Sequence, residues 1–324
     1  MIWLSFEDVR RYKLSLMIRH RVLQAACLCF AVLLIGCKDK KRSTAADTAA
    51  PATAVAASGN SPSLNAGWDA SEAGPIVMLA DSAGIQASVV LPSLTDSMVS
   101  LISGAQLDSA ARGSVDLFDR SGAKGTVSIA ARVPATATEG CTMWPTATLH
   151  GVTTPWRVGF IKGVAQSLPL DSLEGVSAAD SVMITTQLAR LASIISADSD
   201  PVYQGLPFSV RKAYRFNDAS TSILVGSVVR KINEEANPRE EHILLIAEKS
   251  ASTVNYVTAF HTRAAGAEDM VRTSEILALV RFTRSMHTAM VVSFEYEDGG
   301  RVALIERTEA GTWKMTWRSA YTGC

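Results

Sequence analysis

The stretch AMVVSFEYEDGGRVALIERTEAGTWKMTWR, residues 289–318, decides the fold that this sequence predicts. It contains three short segments in which apolar and polar side chains largely alternate, and turn-forming residues separate them. Alternation with a period of two places the apolar side chains on one face of a strand. Because short turns join the segments, neighbouring strands run antiparallel. The stretch therefore predicts a C-terminal β-meander with one apolar face.

The register of this meander follows from matching the apolar faces of its strands. A three-residue loop at 298–300 pairs apolar side chains with one another, whereas a two-residue loop mismatches every pair. The same register places Glu306 on the apolar face, opposite Val292 on one side and Trp313 on the other. The sequence therefore predicts a carboxylate in apolar surroundings.

Glu306 is consequently the candidate catalytic residue. A desolvated carboxyl group has a raised pKa, as a catalytic acid can have. The alternative is that Glu306 ends its strand, where the side chain reaches water or pairs with an arginine such as Arg281 or Arg284. The body of the chain also has histidines at 150, 242, 261 and 287, which are isolated in sequence and are more typical of surface or core positions.

One segment interrupts the β pattern that runs through the body. Ser177-Ala-Ala-Asp180 resembles a capping box, the signal that begins a helix. Apolar residues then recur at helical spacing, and they are Ile184, Leu188, Leu191 and Ile195. An amphipathic helix over 178–196 is predicted.

The fold class is therefore α+β: a mainly antiparallel β-sheet body with one amphipathic helix and the C-terminal meander. Two lobes are predicted, a β-rich lobe with the helix at 67–200 and an antiparallel β lobe at 201–324. Because no repeat of 20–50 residues is evident, a propeller or a solenoid is disfavoured.

Composition excludes two classes of protein. Of the 324 residues, 48% are hydrophobic, which excludes disorder throughout the chain. Lys and Arg total 31 and so do Asp and Glu, but residues 68–324 carry 22 basic and 27 acidic groups. This mildly acidic body argues against nucleic-acid binding, which needs a basic surface.

The N-terminal region contains a predicted targeting signal. Residues 22–36 are almost entirely apolar and follow a basic group at 19–21. Their last three residues and the next one form the sequence Leu34-Ile-Gly-Cys37. A helix of this length rises about 22 Å, less than the roughly 30 Å of a bilayer core, so a secretory signal is favoured over a membrane span. The final four residues resemble the lipobox of bacterial lipoproteins.

The resemblance implies cleavage before Cys37 and attachment of diacylglycerol to its thiol, which would anchor the protein to a membrane of the cell envelope. The signal peptide is then 1–36, with Met17 the expected start because Glu7 and Asp8 are unusual in a basic leader. Lys38 follows the cysteine, and the resemblance favours the outer membrane if the cell is Gram-negative. Residues 37–66 contain almost no large apolar side chain and predict a flexible tether.

The exported body retains two cysteines, Cys141 and Cys324. Two thiols in an oxidising compartment often join, so a disulfide is predicted between them. The alternatives are a free buried Cys141 and a reactive thiol.

Two tryptophans, Trp144 and Trp156, lie near the predicted disulfide. They are candidate binding residues that line a groove for a glycan or a peptide, and the alternative is that they pack on the disulfide. The most polar run of the body, 233–241, predicts a solvated hairpin loop, with a partner or cation contact as the alternative.

The sequence lacks the common zincin, thiol-redox, α/β-hydrolase and P-loop motifs. It therefore implies no metal and no cofactor, and whether the protein is an enzyme stays open. The favoured function is a non-enzymatic envelope lipoprotein that binds a protein, a glycan or a small ligand. The alternative is an envelope hydrolase with dispersed catalytic residues.

Overall fold

The computed structural model describes residues 74–81, 83–90, 113–133, 143–172, 176–195, 201–233 and 237–323. These residues form a mostly antiparallel β body with one α-helix, which confirms the β-rich class that the sequence predicts. A small closed barrel and two further sheets are present in place of a simple meander.

Six short strands close into the barrel. They are β1 (Val77–Ala80), β2 (Gln86–Val90), β3 (Ser114–Asp119), β4 (Gly122–Val133), β5 (Thr146–His150) and β6 (Val158–Ile161). Their order is β1-β2-β5-β4-β3-β6, and β6 pairs antiparallel with β1 to complete the circle. Closure gives each of these six strands a neighbour on both sides.

Apolar side chains fill the barrel, because alternate residues of a barrel strand point inward. The strands approach one another closely at Gly159, where a Cβ atom would lie 2.7 Å from Cγ1 of Val115. The packed cluster consists of Ile76, Met78, Ala87, Val89, Val115, Leu117, Val127, Ala147, Leu149 and Trp156. The barrel is therefore a hydrophobic core in its own right.

Two antiparallel sheets contain the remaining strands. Their bounds are β7 (Ala165–Leu168), β8 (Asp171–Ser172), β9 (Ser209–Asp218), β10 (Thr221–Ile232), β11 (Arg239–Lys249), β12 (Val257–Ala267), β13 (Thr273–Phe282), β14 (Thr288–Tyr296), β15 (Gly299–Glu309), β16 (Thr312–Arg318) and β17 (Thr322–Gly323). The six-stranded sheet has the order β16-β15-β14-β13-β7, with β17 paired to β15, and the five-stranded sheet has the order β12-β11-β10-β9-β8.

The six-stranded sheet is covered on both faces. One face packs against the barrel, where the ring of Phe160 lies 6.0 Å from that of Phe118 and 5.6 Å from that of Phe282. The other face packs against the five-stranded sheet, with Phe216 and Trp313 in edge-to-face contact at 6.3 Å. Aromatic contacts of this geometry add to the stabilisation from burial alone.

The helix α1 (Ala178–Ile195) covers the outer face of the five-stranded sheet. The Oγ atom of Ser177 accepts a hydrogen bond from the backbone N–H of Asp180 at 3.2 Å, so the predicted helix start is confirmed. Leu188 is fully buried and sits so close to β10 that a Cβ atom on Gly226 would lie 2.7 Å from its Cδ2 atom. Glycine at this position therefore allows the helix to approach the sheet.

The three strands of the meander form, but the predicted register is wrong. Tyr296 pairs with Gly299, so the loop has two residues, and Leu304 pairs with Trp317. The physical reason is that the sheet has two apolar faces: Leu304 packs toward the barrel, and Ile305 packs toward the five-stranded sheet. A strand buried on both faces does not reveal its register by alternation.

The predicted boundary between the two lobes, at residue 200, lies outside the described residues. On its N-terminal side, β7 pairs with β13 and β8 pairs with β9. Strands from both predicted lobes therefore share each of the two sheets.

Four charged side chains join the two sheets at one end of the five-stranded sheet. We call Asp218, Glu248, Arg281 and Arg307 the Glu248 network. Arg307 donates from Nε and Nη2 to the two carboxylate oxygens of Glu248, at 2.7 and 2.9 Å, and from Nη1 to Asp218 at 3.2 Å. Arg281 donates to the other oxygen of Asp218 at 2.7 Å. Burial acts to raise the pKa of Glu248. The hydrogen bonds that Glu248 accepts from Arg307, Gly311 and Trp313 nevertheless hold this pKa below its usual value.

The opposite end of the sheet contains the Glu241 network, which consists of Arg230, Glu241 and Arg263. Glu241 is fully buried, and each arginine donates from Nε to one of its carboxylate oxygens. Arg230 also donates to the backbone carbonyl of Tyr203 at 2.7 Å, and its guanidinium lies 4.8 Å from the ring centre of Phe208. Two cations therefore share one desolvated carboxylate.

Glu240, on the opposite face of the same strand, organises a separate group of charges. Its carboxylate contacts Lys231 and His242, and Nη2 of Arg211 lies 3.4 Å away. Burial lowers the pKa of His242 even though Glu240 acts to raise it. The prediction of a solvated loop over 233–241 is thus wrong for Glu240 and Glu241, because both charges are buried against cations from neighbouring strands.

Candidate functional site

A groove runs along the junction between the barrel and the six-stranded sheet. It consists of two adjoining concavities of about 640 and 520 Å³, which share Leu79, Ser293 and Glu295. Phe294 is buried whereas Glu295 and Tyr296 are exposed, so the end of β14 lies outside the cover of the barrel. The groove forms where this end of the sheet is left open.

Both candidate tryptophans line the groove, one in each concavity. Trp156 is 3% exposed, and its indole N–H donates to the carbonyl of Gly84 at 2.8 Å. Trp144 is 6% exposed, and its indole N–H is the one buried side-chain polar atom without a hydrogen-bond partner in the described part of the chain. Such a group costs about 1–3 kcal/mol when left unpaired. The tryptophans therefore form the wall of the groove and do not present open ring faces.

Large apolar side chains are exposed along the groove. Ile85 is 58% exposed, Met143 is 49% exposed and Tyr296 is 39% exposed. They come from the turn before β2, the segment before β5 and the end of β14. Exposed apolar side chains gathered around a concavity are typical of a binding surface.

Carboxylates outnumber cations in the lining of the groove. Asp81, Glu295 and Glu297 contribute the carboxylates, and Arg157 and Arg301 contribute the cations. Arg157 is already engaged, because its Nη2 atom donates to Glu275 at 2.8 Å. The groove therefore favours a ligand that carries positive charge.

The predicted cross-strand neighbours of Glu306, Val292 and Trp313, are wrong. Glu306 pairs with Ala289 on one side and Lys314 on the other. Its Oε2 atom is 3.1 Å from Nδ1 of His287, and its Oε1 atom accepts a hydrogen bond from Thr316 at 2.5 Å. A carboxylate that orients an imidazole is the arrangement of a general base and its orienting group.

Neither arginine that the sequence offered as a partner contacts Glu306. Arg281 instead belongs to the Glu248 network. In the described segments, no hydroxyl or thiol contacts the imidazole Nε2 of His287, so the geometry provides a base without a nucleophile. The sequence singled out Glu306 but could not identify His287 as its neighbour, because the two lie on different strand ends.

The three cysteines with predicted roles, Cys37, Cys141 and Cys324, lie outside the described residues. Met143 and Gly323, which lie close in sequence to the last two, line the same concavity of the groove.

One further charged cluster has no signature in the sequence. Arg120, Arg157 and Lys212 all contact Glu275, at 2.9, 2.8 and 3.5 Å. These residues come from the barrel, from β9 and from β13, so no local spacing in the sequence brings them together. Only the packing of the barrel against the sheets makes this cluster.

No metal centre is apparent among the residues described: no three or more His, Cys, Asp or Glu side chains are grouped to hold an ion. Within the same residues, none of the helices has both the length and the apolar character needed to cross a bilayer.

Comparison of the chain with protein-family models, with curated proteins and with solved structures finds no significant match. The candidate function therefore depends on the groove and on the charged clusters themselves.

Proposed function

We propose that this chain is a lipid-anchored binding protein of the bacterial cell envelope and that its groove holds an extended peptide. The observation that carries the proposal is the exposed apolar surface of Ile85, Met143 and Tyr296 along the two adjoining concavities of the groove, which also contain carboxylates. Methionine suits this role because its flexible, polarisable side chain adapts to different partners.

A peptide is favoured over a glycan because of the tryptophans. Sugar rings are held by stacking on open aromatic faces, but Trp144 and Trp156 are buried in the wall. The surplus of carboxylates over cations further favours a peptide with basic side chains.

The binding test uses a fluorescein-labelled nonapeptide of alternating leucine and lysine, measured by fluorescence polarisation. The double variant Ile85→Ser/Met143→Ser removes exposed apolar surface and is expected to weaken binding at least about tenfold. Val254→Ser is the matched control, because Val254 is 89% exposed and does not line the groove.

Equal binding by the double variant and the Val254→Ser control would contradict the peptide proposal. If a chitin tetrasaccharide displaces the labelled peptide and its polarisation falls, the ligand of the groove is a glycan and not a peptide. A Glu295→Gln variant should weaken the lysine peptide but not a matching peptide of alternating leucine and serine.

The anchor is the second part of the proposal, and the lipobox resemblance at Cys37 supports it. Cys37→Ala is expected to move the protein from the membrane fraction to the soluble fraction of the cell, because the acyl chains that hold it would be absent. Retention of Cys37→Ala in the membrane fraction would show that the lipobox interpretation is wrong.

The proposed disulfide between Cys141 and Cys324 is supported by the presence of Met143 and Gly323 in the lining of one concavity. Peptide mass mapping without reductant should find the two cysteines linked. Two free thiols in the native protein would contradict the bridge.

A hydrolase is the second candidate function, and the contact between His287 and Glu306 favours it. If it is correct, the protein should hydrolyse p-nitrophenyl acetate above the buffer rate, and His287→Gln should abolish that activity. A wild-type rate equal to that of His287→Gln would remove this candidate.

A further inference from the structure

A third concavity, which we name the cationic cleft, has a volume of about 470 Å³. It lies between the turn that joins β3 to β4, helix α1 and the strand β9. The cleft and the groove have no lining residue in common, so a ligand of the cleft is independent of the proposed peptide ligand.

Three cations line the cationic cleft. Arg120, Arg211 and Lys212 are 41%, 43% and 47% exposed. The carboxylate in the lining, Asp119, is already bound, because Lys124 contacts it at 2.9 Å. The lining therefore has an excess of positive charge.

Most of the hydrogen-bond donors on these cations are unused by the described residues. Arg120 directs Nη1 to Glu275, and Lys212 lies 3.5 Å from the same carboxylate. Arg211 makes two weak contacts, both from Nη2, with the carboxylate oxygens of Glu240 at 3.5 and 3.4 Å. An arginine has five N–H donors and a lysine has three, so each of these side chains retains several donors for a ligand.

Glu275 cannot neutralise the cations that surround it. It is shared by Arg120, Lys212 and also Arg157, which contacts it at 2.8 Å. Burial acts to raise the pKa of Glu275, but the charges of Arg157, Lys212 and Arg120 hold it below its usual value, so the carboxyl group is ionised. Glu240, which Arg211 approaches, is already in contact with Lys231. The three cations of the cleft lining, Arg120, Arg211 and Lys212, therefore face one available negative charge, which leaves two positive charges unbalanced.

The cleft also has an apolar wall. Leu170 and Tyr214 line it and are 6% and 7% exposed. The guanidinium carbon of Arg120 lies 5.9 Å from the centre of the Tyr214 ring, which holds this arginine at the wall. Leu170 and Tyr214 thus form a buried part of the wall, and the accessible charged side chains of the cleft are the cations.

We infer that the cationic cleft binds the phosphomonoester group of a ligand. A phosphomonoester carries close to two negative charges at neutral pH, which matches the two unbalanced positive charges. Guanidinium groups bind phosphate oxygens in pairs, and a lysine ammonium adds a point charge. The group can come from a soluble phosphorylated compound or from a lipid headgroup.

The test is isothermal titration calorimetry of the full chain with phenyl phosphate. Lys212→Gln and Arg211→Gln should each weaken binding about tenfold, since each removes a charged donor. Glu275→Gln should strengthen binding, because it removes the carboxylate that competes for Arg120 and Lys212. Lys162→Gln is the matched control, since Lys162 is exposed and does not line the cleft.

Phenyl sulfate, which has the same shape and one negative charge, should bind about tenfold more weakly than phenyl phosphate. Equal binding of the two compounds would contradict a site for a dianion. No heat of binding at millimolar phenyl phosphate, or equal losses in Lys212→Gln and Lys162→Gln, would overturn the inference.

The two sources of the phosphate group are separated by competition. Phosphatidylcholine vesicles that contain one fifth phosphatidic acid are added to the complex with phenyl phosphate, and pure phosphatidylcholine vesicles serve as the control. Displacement by the phosphatidic acid vesicles alone identifies a lipid headgroup as the source, and the absence of displacement identifies a soluble phosphorylated compound.

Discussion

The two ends of the five-stranded sheet both bury ionic networks, but the networks differ in composition. At one end, the Glu248 network balances two arginines against two carboxylates. At the other end, two arginines share the single carboxylate of Glu241, and the neighbouring Glu240 is in contact with a histidine and a lysine. The first end has an internal balance of charge, whereas the second depends on one fully buried carboxylate.

The comparison teaches that the cost of losing a partner depends on the charges that remain. Burying charges is costly, and a buried ion pair is neutral or only slightly stabilising relative to apolar residues. Removal of one partner lowers the free energy of unfolding much more, because an uncompensated charge then remains buried away from water. The Glu241 end should therefore be the more sensitive of the two.

The largest effect is expected from Glu241→Gln. Arg230 and Arg263 would both lose the charge of the carboxylate that they share, and Arg230 is 6% exposed. We expect the free energy of unfolding, measured by urea denaturation, to fall by about 3 kcal/mol or more.

Glu268→Ala is the control for this change. Glu268 contacts Lys231 at 3.0 Å, but its side chain is 49% exposed. The surface pair should contribute less than about 0.5 kcal/mol. Similar losses for Glu241→Gln and Glu268→Ala would contradict the distinction between the buried and the exposed carboxylates.

A smaller effect is expected from Glu248→Gln at the other end. Trp313 and the backbone N–H of Gly311 donate to different carboxylate oxygens, so the single amide oxygen can keep one of these two hydrogen bonds. Arg307 keeps Asp218 as a charged partner. The loss in urea denaturation should be about 2 kcal/mol, the scale of a hydrogen bond to a charged group. A loss larger than that of Glu241→Gln would reverse the comparison.

The smallest effect is expected from a change of pH between 7 and 5. Burial holds the pKa of His242 below its usual value near 6.5, so folding favours the neutral imidazole. The contribution of neutral His242 to the free energy of unfolding is fully present above pH 6.5. It is lost as the pH falls through the lower pKa that His242 has in the folded state. In the Glu248 network, the pKa of Glu248 is lowered and that of Arg307 is raised, so neither group titrates in this interval.

Amide hydrogen exchange, corrected for the intrinsic effect of pH, measures this difference. Protection should decrease between pH 7 and 5 at residues 239–242 and stay constant at residues 246–249. His242→Gln should remove the pH dependence, and an equal decrease at both ends would show that His242 is not its cause.

Sequence predicted the helix and the three strands of the meander because their signals are local. The capping residue Ser177 and the spacing of Ile184, Leu188 and Leu191 lie within five turns of one helix. The register of the meander failed for the opposite reason: Leu304 and Ile305 face two different cores, and no property of the strand itself distinguishes them.

The charged clusters were beyond prediction from local sequence. Glu240 and Glu241 end a polar run that is typical of a loop, and their burial depends on cations supplied by β9, β10 and β12. The closure of the barrel likewise joins strands far apart in the chain, since Val77 pairs with Phe160. Trp144 and Trp156 could be proposed as groove residues from their aromatic character, but the apolar positions at Ile85 and Tyr296 could not.

The double cover of the six-stranded sheet has a consequence for how the chain folds. The barrel uses only residues 77–161, so it can close before the later strands are synthesised. Until those strands arrive, the outer surface formed by Val77, Phe118 and Phe160 has no partner, because its cover includes Phe282 and Leu304 from the far end of the chain. Contacts of such long sequence separation form slowly, and an uncovered apolar surface promotes aggregation in the meantime. The outer surface of the completed barrel is thus the part of the folding chain most prone to aggregation until the central sheet has formed.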